Sequence, residues 1–117
     1  MSENTFKQLH VWQKSIILTK DVYLLTNKLP KSELYVLTSQ MRRAAISIPS
    51  NIAEGQGKKS RNEFVRFLNI SLGSATELET QLILVQEIYN IDTILIQNQI
   101  VEIKKMLNGL INKIKVL

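Results

Sequence analysis

Residues that could act as acids, bases or metal ligands are sparse in this sequence. His10 is the only histidine, and the 117-residue chain has no cysteine. A carboxylate-bridged metal site in a helical protein needs Glu-x-x-His pairs on two helices, and the sequence contains no such pair. Serines are plentiful, but a hydrolytic triad needs a histidine base beside one of them, and His10 stands at a predicted helix start. We therefore expect no catalytic residue, no metal site, no cofactor and no enzymatic activity.

The glycine pair Gly55-x-Gly57 also has a simple structural interpretation. A phosphate-binding glycine loop follows a strand, whereas this pair ends a predicted helix and predicts a turn. Basic side chains follow the pair, and the amides at the next helix start add positive charge. These cations are a candidate nucleic-acid contact, although a solvated polar loop explains them equally well: Lys58, Lys59, Arg61 and Arg66.

A second unusual feature is a polar column along one side of the second predicted helix. Its members are Gln40, Arg43, Ser47, Asn51 and Glu54. The column is either a solvated face or a hydrogen-bonded subunit contact, and the shortage of lysine favours the contact.

One carboxylate lies beside the apolar side of the third predicted helix. Glu79 would cost several kcal/mol if it were buried there without a partner. We predict a structural ion pair from Glu79 to Arg42 or Arg43, within the subunit or across an interface.

Four helices must position these residues. Prolines and glycines fall mostly between stretches of helical periodicity, which predict helices over about 10–28, 33–55, 61–89 and 93–115. Ser32, Ser60 and Asp92 are the predicted N-caps, and Glu63 completes a capping box with Ser60. Short connections between the helices predict one domain over 1–117, an all-α, up-down-up-down four-helix bundle.

Pro49 lies inside the second predicted helix. It has no amide proton to donate to the carbonyl of Ala45, so we expect a kink at this point.

The first helix has two apolar stripes on nearly opposite sides, which is more than an edge helix of a monomer needs. One stripe contains Leu9, Trp12, Ile16 and Tyr23, and the other contains Val11, Leu18, Val22, Leu25 and Leu29. The excess favours self-association, although a crowded bundle could also bury both stripes.

Composition narrows the class of function further. The formal net charge is +5 with a pI of about 9.6, which favours contact with phosphate backbones. The sequence has neither a secretion-signal pattern nor an apolar run long enough for a membrane span. Together with the lack of cysteine, this predicts a cytoplasmic protein with no membrane partner.

Several segments resemble one known family. They are LHVWQKS at 9–15, QMRRAAISIPSNIAEG at 40–55, FxRFL at 64–68 and GSxxELExQL at 73–82. Over about residues 6–90 the chain resembles the bacterial four-helix-bundle proteins encoded in intervening sequences of large-subunit ribosomal RNA genes, which often carry a ribosomal-protein-like label. Lys7 and His10 depart from the usual pattern without affecting the fold.

The resemblance implies a homopentamer of four-helix bundles and a biochemical role that is poorly defined. A relative in that family is the accessory protein of a reverse transcriptase in diversity-generating retroelements, a basic pentamer that binds nucleic acid. Our first hypothesis is therefore an oligomeric scaffold that binds RNA or DNA. The alternative is a protein–protein interaction adaptor, such as an accessory subunit of a nucleic-acid enzyme.

Overall fold

Four long helices account for most of the chain. The structure, a computed structural model, describes residues 5–116. The helices are α1 (His10–Thr26), α2 (Ser39–Gln56), α3 (Arg61–Tyr89) and α4 (Ile94–Lys115), and a short 3-10 turn (Phe6–Gln8) precedes α1. No strand occurs between residues 5 and 116. The all-α prediction is confirmed.

One hydrophobic core lies between the four helices, and it collects the apolar positions that recur at helical spacing. From α1 its buried side chains come from the stripe containing Leu18 and Val22, both of which are fully buried, while Leu9 and Trp12 of the other stripe are partly buried against it. The other three helices contribute these fully or nearly fully buried side chains: Met41, Ala45, Ile48, Ile52, Leu68, Leu78, Leu82, Val85, Ile100, Ile103 and Leu107.

Contacts between neighbouring helices run in opposite directions along the two partners. Arg42 of α2 contacts Thr26 of α1, whereas Ala45, further along α2, contacts the earlier residue Thr19. Ser47 and Ile48 of α2 bond to Ser74 and Ser71 of α3 in the same inverse order. The remaining two pairs of neighbours show the same inverse order. Between α3 and α4 the contacts are Gln86 to Thr93 and Glu79 to Lys104. Between α1 and α4 they are Asp21 to Gln99 and Lys14 to Glu102.

The connection between α1 and α2 differs from the prediction. Ser32 is not an N-cap: it lies in a 3-10 turn (Lys31–Glu33) that a π-helical segment (Leu34–Thr38) follows. The carboxylate of Glu33 accepts the Leu37 amide at 3.4 Å and caps this segment instead. A π-helical turn shifts the angular position of its residues relative to α2, and Leu34 at its start is 47% exposed.

The other helix caps follow the sequence more closely. Ser60 Oγ accepts the Glu63 amide at 3.2 Å, which is half of the predicted capping box. The N-cap of α4 is Thr93 and not Asp92 as predicted, although Asp92 Oδ1 accepts the amide of Ile94, the first residue of α4. At the end of α3, Asn90 has a left-handed φ of 57°, a conformation that asparagine tolerates better than most residues.

The α2 helix continues through Pro49, which is buried. Thr19 of α1 compensates for the missing amide proton: its single hydroxyl proton is shared between the Ser15 carbonyl of its own helix at 2.8 Å and the Ala45 carbonyl at 3.2 Å. A side chain from a neighbouring helix therefore occupies the acceptor that Pro49 leaves open.

Candidate nucleic-acid interface

The basic connection between α2 and α3 lies at one end of the bundle. Lys58, Lys59 and Arg61 are all exposed there. The preceding glycines have separate roles, since α2 continues through Gly55 to Gln56 and Gly57 occupies its C-cap. The glycine pair therefore ends α2 as predicted, one residue later than the predicted bound at 55.

Gly55 allows α2 and α3 to pack closely beside this connection. A Cβ atom at Gly55 would lie 2.7 Å from Phe67 Cβ and 3.1 Å from Phe64 Cδ1. Both distances are shorter than ordinary van der Waals contact, so only glycine fits without a shift of its neighbours. This contact positions the basic residues relative to the start of α3.

Arg66 makes an ion pair within the chain. Its Nε and Nη2 atoms each donate to the Glu63 carboxylate at 3.2 Å, so Glu63 does not complete the capping box as predicted. The hydrogen bond from Arg66 lowers the pKa of Glu63 and raises that of Arg66, and Glu54 adds a smaller Coulombic contribution to Arg66. The predicted phosphate contact at Arg66 therefore has a carboxylate already bound to it, which leaves Lys58, Lys59 and Arg61 as the stronger candidates.

The ring of Phe67 supports two of these cations. Lys58 Nζ lies 5.4 Å from the ring centroid, and the guanidinium carbon of Arg66 lies 4.5 Å from it. Both distances fit cation–π contacts, which hold the two charges over a buried aromatic side chain.

Further cations lie at the same end of the bundle. The Phe6–Gln8 turn contacts α2 and carries exposed Lys7. The last turn of α4 carries Lys113 and Lys115, and the inverse contact order along α3 and α4 directs this turn toward the start of α3. Among the described residues, cations at this end outnumber the carboxylates of Glu54 and Glu63.

The polar column on α2 includes residues that bond within the chain and residues that line an open groove, and Ser47 does both. Ser47 Oγ shares a 2.8 Å hydrogen bond with Ser74 Oγ of α3, and Asn51 Nδ2 donates to Ser47 Oγ and to its carbonyl. Gln40 and Arg43 instead line an open groove of about 580 Å³ between α2 and α3. The groove is also lined by Ala44, Ser47, Ser74 and Glu77.

Within the subunit, Glu79 pairs with neither Arg42 nor Arg43, the two predicted partners. Glu79 Oε1 accepts Lys104 Nζ of α4 at 3.0 Å, and both side chains are about 70% buried. Sequence spacing shows that Glu79 needs a partner, but it cannot show which helix lies beside it.

Arg42 fastens the start of α2 to the end of α1. Its guanidinium lies 4.4 Å from the Tyr23 ring centroid. Its Nε donates to Thr26 Oγ1 at 2.9 Å, and its Nη2 donates to Asn27 Oδ1 at 3.0 Å. The partners of Arg42 are therefore an aromatic ring and two neutral acceptors on α1.

The two apolar stripes of α1 have different environments. The stripe around Leu18 is buried, whereas Ile16 of the other stripe is 43% exposed and Tyr23 is 38% exposed. An apolar groove of about 530 Å³ lies between this exposed stripe and α2. Its lining residues are Trp12, Ile16, Thr19, Lys20, Ile46, Pro49, Ser50 and Ala53.

Sequence reasoning missed a cluster at the π-helical segment. Tyr35 is 88% exposed there, between Leu34 and Val36, which are about half exposed. A run of four apolar residues, Leu34 to Leu37, follows Pro30 in the sequence. Because a helix with one buried face cannot bury four successive side chains, this run was the available signal for an exposed apolar site.

Residues 5–116 contain no cluster of three or more histidine or acidic side chains arranged to hold a metal ion. None of the helices in that range combines the length and apolarity that a membrane span requires.

Comparisons with known proteins identify the family. Residues 7–109 match the profile of the 23S rRNA-intervening sequence protein family, and no curated protein matches the chain. One similar solved structure is a protein of unknown function from the S23 ribosomal protein family of Bacteroides thetaiotaomicron VPI-5482. It is 31% identical, with a TM-score of 0.79 over 87% of this chain and 95% of that one. With a match over most of its length, this chain belongs to the 23S rRNA-intervening sequence protein family.

Proposed function

We propose that the protein is a non-enzymatic scaffold that assembles into a homopentamer of up-down-up-down bundles and binds RNA or other nucleic acid. The observation that carries this proposal is the exposed basic end of the bundle, with Lys58, Lys59 and Arg61 at its centre. Cations contact phosphate backbones without reading sequence, and each contact releases counterions. Cytoplasmic location, which the lack of cysteine favours, is part of the proposal.

Self-association is supported by the exposed face of α1 and its groove against α2. Trp12, Ile16 and Ile46 line this groove, and apolar surface of this kind is typical of protein interfaces. Exposed apolar side chains also occur elsewhere, for example Ile83 and Leu84 on α3. Two unlike patches on one subunit suit a head-to-tail contact, which closes into a ring when the rotation permits.

Assembly would also strengthen a weak basic site. A ring presents one basic end per subunit, and linked weak contacts gain affinity through high effective concentration. The scaffold therefore needs no strong single site, in keeping with a surface built from exposed lysine and arginine side chains.

The test combines charge reversal with a salt titration. Lys58→Glu with Lys59→Glu should weaken RNA binding and reduce the slope of log K against log salt by about 2, because two phosphate contacts are lost. The matched control is Lys28→Glu with Lys31→Glu, which makes the same change in net charge near the end of α1. Equal loss in both variants would indicate a general charge effect, and unchanged binding in the first would remove the proposed site.

Assembly is measured separately by light scattering coupled to size-exclusion chromatography. A single species of about five subunits is expected from the family resemblance, and Ile16→Glu should reduce its mass because a carboxylate would enter the apolar contact. A monomeric wild-type protein would contradict the pentamer and the proposed ring.

A second candidate function is a protein–protein interaction adaptor, such as an accessory subunit of a nucleic-acid enzyme. The groove of about 530 Å³ between α1 and α2 favours it, since an apolar groove accommodates the apolar face of a partner helix. A partner that remains bound after nuclease treatment and at high salt would favour the adaptor over the scaffold.

A further inference from the structure

A cleft lies where the π-helical segment meets α1 and the start of α2, away from the basic end. Its volume is about 360 Å³, within the range of small-ligand sites. Its walls combine two tyrosines, two arginines and two hydroxyl side chains with aliphatic groups, and none of the described lining residues is acidic. The lining residues are Tyr23, Leu34, Tyr35, Thr38, Ser39, Arg42, Arg43 and Ile46.

Tyr35 gives the cleft an aromatic surface on a well-anchored segment. Its side chain is 88% exposed, so intramolecular packing does not explain an aromatic residue at this position. The segment is held by Glu33, whose carboxylate accepts the Leu37 amide and the Tyr89 hydroxyl of α3. A ring on anchored backbone loses little conformational freedom when a ligand stacks on it.

The cleft also carries positive charge that the chain does not neutralise. Arg42 donates to the neutral oxygens of Thr26 and Asn27 and lies over the Tyr23 ring. Arg43 is exposed on the same wall, and no carboxylate of the described residues lies within ion-pair distance of either guanidinium. An anionic ligand therefore meets two cations beside an exposed ring.

We propose that this cleft binds one nucleotide of a single-stranded nucleic acid, with its base stacked on Tyr35 and its phosphate at Arg43. The inference rests on the proposed nucleic-acid function and adds a contact that distinguishes single strands from duplexes. Stacking on aromatic side chains requires an unpaired base, which a duplex does not offer. Arg43 lies roughly 20 Å along α2 from Gln56 at 1.5 Å per residue, so one strand can reach both the cleft and the basic end.

An acidic peptide is the competing occupant, because tyrosine and arginine are also common in protein interfaces. A peptide carboxylate would satisfy Arg43 but would leave the exposed ring of Tyr35 without a planar partner. A nucleotide supplies both a planar base and a negative charge, and it therefore accounts for both features of the cleft.

The experiment measures fluorescence polarisation of a labelled single-stranded RNA and of an RNA duplex with the full-length protein. Tyr35→Ala should weaken single-strand binding by about 5- to 150-fold, the range expected for one stacked base. It should leave duplex binding unchanged, and Tyr35→Phe should bind single strands like the wild type because it retains the ring. Leu95→Ala is the matched control, since Leu95 is 81% exposed on α4.

The other outcomes overturn the inference in distinguishable ways. A wild-type protein that binds neither RNA would refute the proposed function along with the cleft. Wild-type binding that Tyr35→Ala leaves intact would refute the cleft alone. Equal loss of both RNAs together with a smaller assembly would assign Tyr35 to a subunit contact. Polyglutamate serves as the probe for an acidic peptide. If Tyr35→Ala loses polyglutamate binding but retains RNA binding, the cleft would be assigned to a protein partner.

Discussion

Replacing Thr19 with valine should destabilise the protein because of Pro49, a residue on another helix. Pro49 leaves the Ala45 carbonyl without its helical donor, and the Thr19 hydroxyl donates to that carbonyl at 3.2 Å. Valine has nearly the shape of threonine but no hydroxyl. The Ala45 carbonyl would therefore lose its donor at a residue that is fully buried.

The size of the effect follows from the cost of a buried, unsatisfied acceptor. That cost is about 1–3 kcal/mol. The Ser15 carbonyl also loses a hydroxyl contact, but the Thr19 amide still supplies its ordinary helical hydrogen bond. In a Pro49→Ala background, the new amide at position 49 can donate to Ala45, so Thr19→Val should cost less than about 1 kcal/mol there. The coupling between the two sites should therefore be about 1 kcal/mol or more.

Urea unfolding of the wild type, both single variants and the double variant gives this coupling from four free energies of unfolding. Protein concentration must be equal in all four, because the stability of an oligomer depends on it. Thr19→Ser is the control that retains the hydroxyl, and it should restore most of the stability lost in Thr19→Val. An equal cost of Thr19→Val in both backgrounds would show that the Ala45 carbonyl does not depend on Thr19, and it would refute the reasoning.

Two further predictions concern the α2–α3 pair. Gly55→Ala should lower the free energy of unfolding by about 1–3 kcal/mol, because its Cβ would lie 2.7 Å from Phe67 Cβ. At Gly73 an added Cβ meets nothing within 4 Å, so Gly73→Ala should instead raise the free energy of unfolding by about 0.5–1 kcal/mol. Equal effects of the two variants in urea unfolding would contradict the packing argument. Arg66 lowers the pKa of Glu63 in the folded state, so this ion pair contributes stability above the ordinary glutamate pKa and loses it as pH falls from there through the lowered value. Thermal unfolding of Glu63→Gln should therefore vary less with pH in that region than that of the wild type, and identical pH profiles would contradict the ion pair's contribution.

The core and the helices were predictable because their signals are local or periodic. The buried positions of α2 from Met41 to Ile52 follow from spacing alone, and Ser60 caps α3 through a contact three residues away. The start of α2 was not predictable in the same way. The π-helical segment is held by contacts of Glu33, one of which comes from Tyr89, a residue 56 positions further along the chain.

The candidate sites also differ in whether their residues are close together in the sequence or are brought together only by packing. Lys58, Lys59 and Arg61 are adjacent in the sequence, so their shared location was evident before the structure. Arg66 was also predicted as a nucleic-acid contact. Only the structure shows that the Glu63 carboxylate, predicted to complete a capping box, instead forms an ion pair with Arg66. The cleft at Tyr35 draws its residues from three elements, and only their packing brings them together.

The all-α class, the family and the basic connection could be inferred from the amino-acid sequence, because composition, periodicity and short motifs express these features within one or a few helical turns. Tertiary structure decided the partner of each polar side chain. Glu79 pairs with Lys104 of α4 and not with the arginines of α2. The Thr19 hydroxyl donates to the carbonyl that lacks a donor because of Pro49. Such pairings depend on which helices are neighbours and how far each is rotated about its axis. A shift of one residue along a helix turns a side chain by about 100°, and the π-helical segment introduces such a shift where sequence periodicity could not reveal it.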